Sequence, residues 1–127
     1  MTASDLAQEF DDVHRASASA TFDDYQRYTK RHAQYPADIG LFYTALGLAG
    51  EAGEVANKIK KVYRDDDTIL TDERRLQIFR EMGGALWYLS AMATELGVRL
   101  SDIARLNLEE LDSRLARGTV KGDGDTR

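Results

Sequence analysis

Apolar side chains recur along the chain at helical rather than strand spacing. Leu6, Phe10 and Val13, behind a capping Ser4, predict a first short helix. Thr21, with Asp24 three residues later, has the form of a capping box and opens a second segment that Pro36 ends. From Asp38 to Tyr63, Leu48, Ala52, Val55, Ile59 and Val62 follow a 4-3-4-3 progression, which predicts a long helix with a continuous apolar seam. Arg64-Asp65-Asp66-Asp67 makes a loop. Thr71 precedes Asp72 and Glu73, acids that suit the positive end of a helix dipole, and that helix runs to a stop at Gly97. Ser101 starts a last helix carrying Ile103, Leu108, Leu111 and Leu115, which ends near Gly118. No stretch alternates as a strand does and no long period repeats. The expected fold is all-α, one helical domain over residues 1–127, with an N-terminal helix within 1–20 and a polar, glycine-rich tail over 118–127. Four to five helices leave apolar surface around residues 82 to 96, so the bundle is expected to be completed by dimerisation, as a homodimer or homotetramer.

Composition narrows the function classes. The net charge is −5 and bases alternate with acids, which gives a nucleic-acid polymer no basic patch to hold. Cysteine is absent, and His14 and His32 are too far apart to read as a local metal pair, so neither a disulfide framework nor a zinc site is expected. The longest uncharged run, Met82 to Thr94, falls short of the roughly 18 to 20 residues that cross a bilayer, and no signal segment precedes it. A cytoplasmic protein without a membrane partner is the expectation.

The candidate chemistry is carboxylate. At about 100° per residue, Glu51, Glu54, Lys58 and Lys61 share one stripe that borders the apolar seam. Alone, such a stripe reads as solvated i,i+4 pairs. The same helix also carries Gly47, Gly50 and Gly53, each costing about 1 kcal/mol relative to alanine, which points to a close neighbour, either a helix or a ligand. Glu81 opens the nearly uncharged run, where a carboxylate half out of water needs a cation, a donor or a proton; Lys58, Arg75 and Arg80 are the plain partners. Three carboxylates without soft ligands suit Mg²⁺, with Mn²⁺ as a substitute. Mg²⁺ completes its shell with water and phosphate oxygens, which makes a phosphorylated small molecule the leading ligand.

With these residues in place, the chain resembles the MazG-like, all-α nucleoside triphosphate pyrophosphohydrolases from about Thr21 onward. Thr21-Phe-Asp-Asp-Tyr-Gln26 is similar to the family's entry helix, Gly47-Leu-Ala-Gly-Glu-Ala-Gly-Glu-Val55 to its first acidic motif, and Lys58, Lys60 and Lys61 to the lysines after it. Glu81-Met-Gly-Gly-Ala-Leu-Trp-Tyr-Leu89 resembles the second motif, and Asn107, Arg114 and the ending Arg117 to Arg127 match downstream. The resemblance implies Mg²⁺ on Glu51, Glu54 and Glu81, which are both metal ligands and catalytic acids, and release of a nucleoside monophosphate and pyrophosphate from a (d)NTP. By the same resemblance Lys58, Lys61 and Arg114 would contact phosphate, and Gln26, Tyr88 or Asn107 base or sugar, with Trp87 read as core before platform. Two departures stand out: Gly84 where the family has Asp, and Glu110 where it often has Lys. A water, or an oxygen of Glu110, Asp112, Asp123 or Asp125, would have to replace the missing ligand; a degenerate member that binds nucleotide without hydrolysis is the alternative.

Overall fold

The structure is a computed structural model that describes residues 21–122, so the expected first helix, His14 and the tail acids Asp123 and Asp125 lie outside it. Among the described residues there are four α-helices and no strand: α1 (Phe22–Thr29), α2 (Gly40–Asp65), α3 (Asp72–Glu95) and α4 (Leu100–Ala116). Short 3₁₀ turns at Lys30–His32 and Ala37–Ile39 carry the chain past Pro36. None of these helices is long and apolar enough to cross a membrane.

Local chemistry sets most of the boundaries. The Thr21 hydroxyl accepts from the Asp24 N–H, and the Asp24 carboxylate accepts from the Thr21 N–H, a reciprocal capping box. Thr71 caps α3 through the Arg74 N–H. α3 and α4 each end on a glycine in the left-handed region, Gly97 and Gly118. There the next N–H reaches back to an orphan carbonyl, Val98 to Ala93 and Thr119 to Arg114. α2 runs on to Asp65, so two residues of the expected loop are helical; Asp67 and Thr68, at positive φ, make the turn instead.

The last helix begins at Leu100, not at Ser101, because its cap comes from another element. Asp23 of α1 accepts from the Ser101 N–H and hydroxyl, and the Gln26 carbonyl accepts from the Leu100 N–H at 2.8 Å. These bonds satisfy donors that a helix start leaves unpaired, and an acid there also suits the dipole.

α2 and α3 form the main packing pair, running antiparallel, with α1 laid across α3 and α4. Val62, Ala93 and Leu100 are the buried apolar side chains among the described residues; Thr44, Ser90 and Gln26 are buried and polar. The expected seam is only partly inside. Val62 is buried, Leu48 and Val55 are half-buried, and Ala52 and Ile59 are exposed, because α2 is apolar around more than half its circumference while α3 covers one face. The uncharged run of α3 is not enclosed by its own chain either, since Met82 and Leu86 are exposed. Beyond its first turns α4 leaves Leu106, Leu108, Leu111 and Leu115 in the open.

Candidate functional site

Glycines fix how α2 and α3 meet. The Glu95 carboxylate rests where a side chain on Gly40 would be, the Tyr88 ring rests on Gly47, and the Glu51 carboxylate rests on Gly84. These contacts move down one helix in the same steps as they move up the other, from 40 to 47 to 51 against 95 to 88 to 84. One further step sets Glu54 level with Glu81.

The line of contact is therefore a groove with three zones. At one end Tyr43 and Tyr88 tilt together at 6.2 Å between ring centres, and Trp87 meets Tyr88 edge-on at 5.0 Å. Tyr35 stacks on Tyr43 and donates from its phenol to Glu95 at 2.6 Å. Burial and that carboxylate push the Tyr35 phenol up to about 12. Tyr88 is likewise raised, by burial first, then by its hydrogen bond with Tyr43 and the nearby charges, Glu51 among them. In the middle stand the acids. Glu51 is half-buried against Gly84, where a β-carbon would lie 2.7 Å from its carboxyl carbon; Glu54 is exposed on the rim. At the far end Lys58 pairs with Glu81 at 3.5 Å, each about a quarter exposed, so the plain partner expected for Glu81 is in place. Lys61 follows, half-buried.

The donor set fits Mg²⁺ chemically, being all carboxylate oxygen, and the bare backbone at Gly84 gives the Glu51 carboxylate room to move. Among the described residues, however, no group of three such side chains is already gathered to hold a metal ion. Glu81 would have to turn from Lys58, and Glu51 from its rest on Gly84.

The remaining candidates are dispersed. Gln26 is buried and its amide is fully engaged, donating to Thr94 and to the Val98 carbonyl and accepting from Leu100, so it fastens α1 to the α3–α4 corner. Asn107 borders an apolar groove with Phe22, Leu86 and Leu89; at about 100° per residue Leu86 falls on the side of α3 away from Glu81 and Gly84. Arg114 lies in the last turn of α4, half-buried.

Over 88 residues the chain is 47% identical to the Gene 37 protein of Mycobacterium phage L5, a match covering 69% of this chain and 77% of that protein. The chain belongs to the Gene 37 protein family. No family model matches it, and no solved structure matches it. Kinship with the Gene 37 protein carries no chemistry in its name, so for this family member the activity has to be argued from the groove.

Sequence reasoning passed over Tyr43. The signal was present: continuing the stripe of Lys61, Lys58 and Glu54 upward through Gly50 and Gly47 reaches Tyr43 in helical steps. It also passed over Asp23, whose role as a cap for α4 has no local signature.

Proposed function

We propose that this member of the Gene 37 protein family is a Mg²⁺-dependent, MazG-like nucleotide pyrophosphohydrolase that cleaves a (d)NTP to the monophosphate and pyrophosphate. The observation that carries the reading is the order of groups along one interhelical groove: an aromatic pair, then Glu51, Glu54 and Glu81, then Lys58 and Lys61. A nucleoside triphosphate has the same order of parts, from a flat base to a polyanion. Glu51, Glu54 and Glu81 are the residues to hold Mg²⁺, with Mn²⁺ a substitute. Mg²⁺, when bound, supplies neutralisation of the triphosphate charge and a water acidic enough to attack phosphorus near neutral pH. Lys58 and Lys61 take phosphate oxygens, and Tyr88 with Tyr43 offers ring surface to the base. A homodimer suits the exposed apolar surface of the single chain.

Pyrophosphate release over a nucleotide panel, with and without Mg²⁺, tests the proposal. Metal-dependent release that Glu54→Ala abolishes is the expected result; release no greater than that of the Glu54→Ala control removes the enzymatic reading.

A second reading is favoured by Gly84 and by the Glu81–Lys58 pair: a member that binds nucleotide but does not hydrolyse it, because one oxygen is missing and one acid is already neutralised. Calorimetric binding with no pyrophosphate released selects this reading over the first.

A further inference from the structure

α2 carries a second pattern that the groove does not use. At about 100° per residue, Phe42, Leu46, Ala49, Gly53, Ala56 and Tyr63 lie on the side opposite Thr44, Glu51 and Val62, the positions turned toward α3. Every one of them is exposed, Phe42 and Tyr63 at 68% and Leu46 at 58%, with Ala52 and Ile59 on the flank also exposed. The charges nearest this stripe are held at its rim, Lys60 by Asn57 at 2.9 Å and Arg64 by Asp65.

The order of side chains is the same from either end. From the N-terminal side it runs Phe42, Leu46, Ala49, Ala52; from the C-terminal side it runs Tyr63, Ile59, Ala56, Gly53. Both halves go from aromatic to aliphatic to small to small, in steps of four, three and three. An isologous interface imposes this condition, because a contact of i on j requires a contact of j on i. A foreign partner imposes no such symmetry. Small residues at the centre permit close approach of two helix backbones, and a β-carbon on Gly53 meets nothing within 4 Å in its own chain. With so few apolar side chains buried in the single chain, a covered outer face also supplies the core that it lacks.

We propose that the outer face of α2 is the two-fold interface with a second copy of this chain, the two helices antiparallel and crossing between Ala52 and Gly53. Phe42 then meets the partner's Tyr63, Leu46 the partner's Ile59, and Ala49 the partner's Ala56. This face is distinct from the groove and does not depend on nucleotide chemistry.

The chain has no cysteine, so introduced thiols report pairing without interference. Under mild oxidation the double variant Ala49→Cys/Ala56→Cys is expected to form a disulfide-linked dimer, whereas neither single variant does. Light scattering of the unmodified protein is expected to give two chain masses of 14.2 kDa, falling to one in Ala56→Glu with its helical circular dichroism kept. If Ala56→Glu unfolds, the cross-linking result still decides, since cysteine is close to alanine in size. A single 14.2 kDa mass for the unmodified protein overturns the proposal and gives the face to residues 1–20 or to solvent. Linkage in Ala49→Cys alone overturns the antiparallel pairing.

Discussion

The two faces of α2 invert the usual expectation. The face against α3 carries glycine, threonine and glutamate, and Thr44 there is fully buried with its hydroxyl bonded to the Gly40 carbonyl. The opposite face carries phenylalanine, leucine, alanine and tyrosine and lies open. Within one chain, burial on this helix follows size and backbone proximity, while the apolar side chains with most to gain from leaving water remain outside. The free energy of that outer face is therefore available to association, at about 25 cal/mol for each Å² removed from water.

The largest effect that separates the two faces comes from a charge on the outer one. Leu46→Asp in a covered interface buries an unpaired carboxylate and is expected to cost the assembled protein about 3 to 5 kcal/mol. On a free surface the same change stays within about 0.5 kcal/mol. Urea unfolding at two protein concentrations distinguishes the cases, because the midpoint depends on concentration only if association is coupled to folding.

The next effect belongs to the inner face. In Gly84→Asp the new β-carbon lies 2.7 Å from the Glu51 carboxyl group, which is the far end of a flexible side chain and can swing away. The cost without metal is then mainly repulsion between acids, and a divalent cation reverses it. We expect the variant to melt below the parent in chelator and to gain more from Mg²⁺ than the parent does, with about 2.7 kcal/mol as the scale at one hundred times the dissociation constant. Equal Mg²⁺ responses in the two proteins would mean that the acids do not converge on a cation.

What was legible in the sequence was local. The capping box at Thr21 and Asp24 and the stops at Gly97 and Gly118 involve partners within a few residues, so the pattern of residue types is enough to find them. Gln26 was read as a nucleotide contact because its structural partners, Thr94, Val98 and Leu100, lie at the other end of the described chain. Ser101 was read as a helix start for the same reason, its cap being Asp23. The acids were legible as a stripe, but the resting place of Glu51 was not. It depends on the α2–α3 register, which glycines on both helices set by letting a side chain lie on bare backbone.

The smallest effects are also the most discriminating, because three glycines of one helix should respond differently to the same methyl group. Alanine at a helix interior is worth about 0.5 to 1 kcal/mol over glycine when nothing is in the way. At Gly47 the Tyr88 ring is in the way, and it is held among Tyr43 and Trp87, so Gly47→Ala should lose about 1 to 2 kcal/mol net after the propensity gain. At Gly50 the space is open and the residue borders the acidic groove instead of the outer stripe, so Gly50→Ala should gain the full amount. Gly53 is equally open within its own chain, and a lone helix face predicts the same gain. A second copy crossing there predicts a loss, since the added methyl pushes two backbones apart. Thermal melts of Gly50→Ala and Gly53→Ala side by side thus cancel the propensity term and leave the occupancy of the outer face as the difference between them.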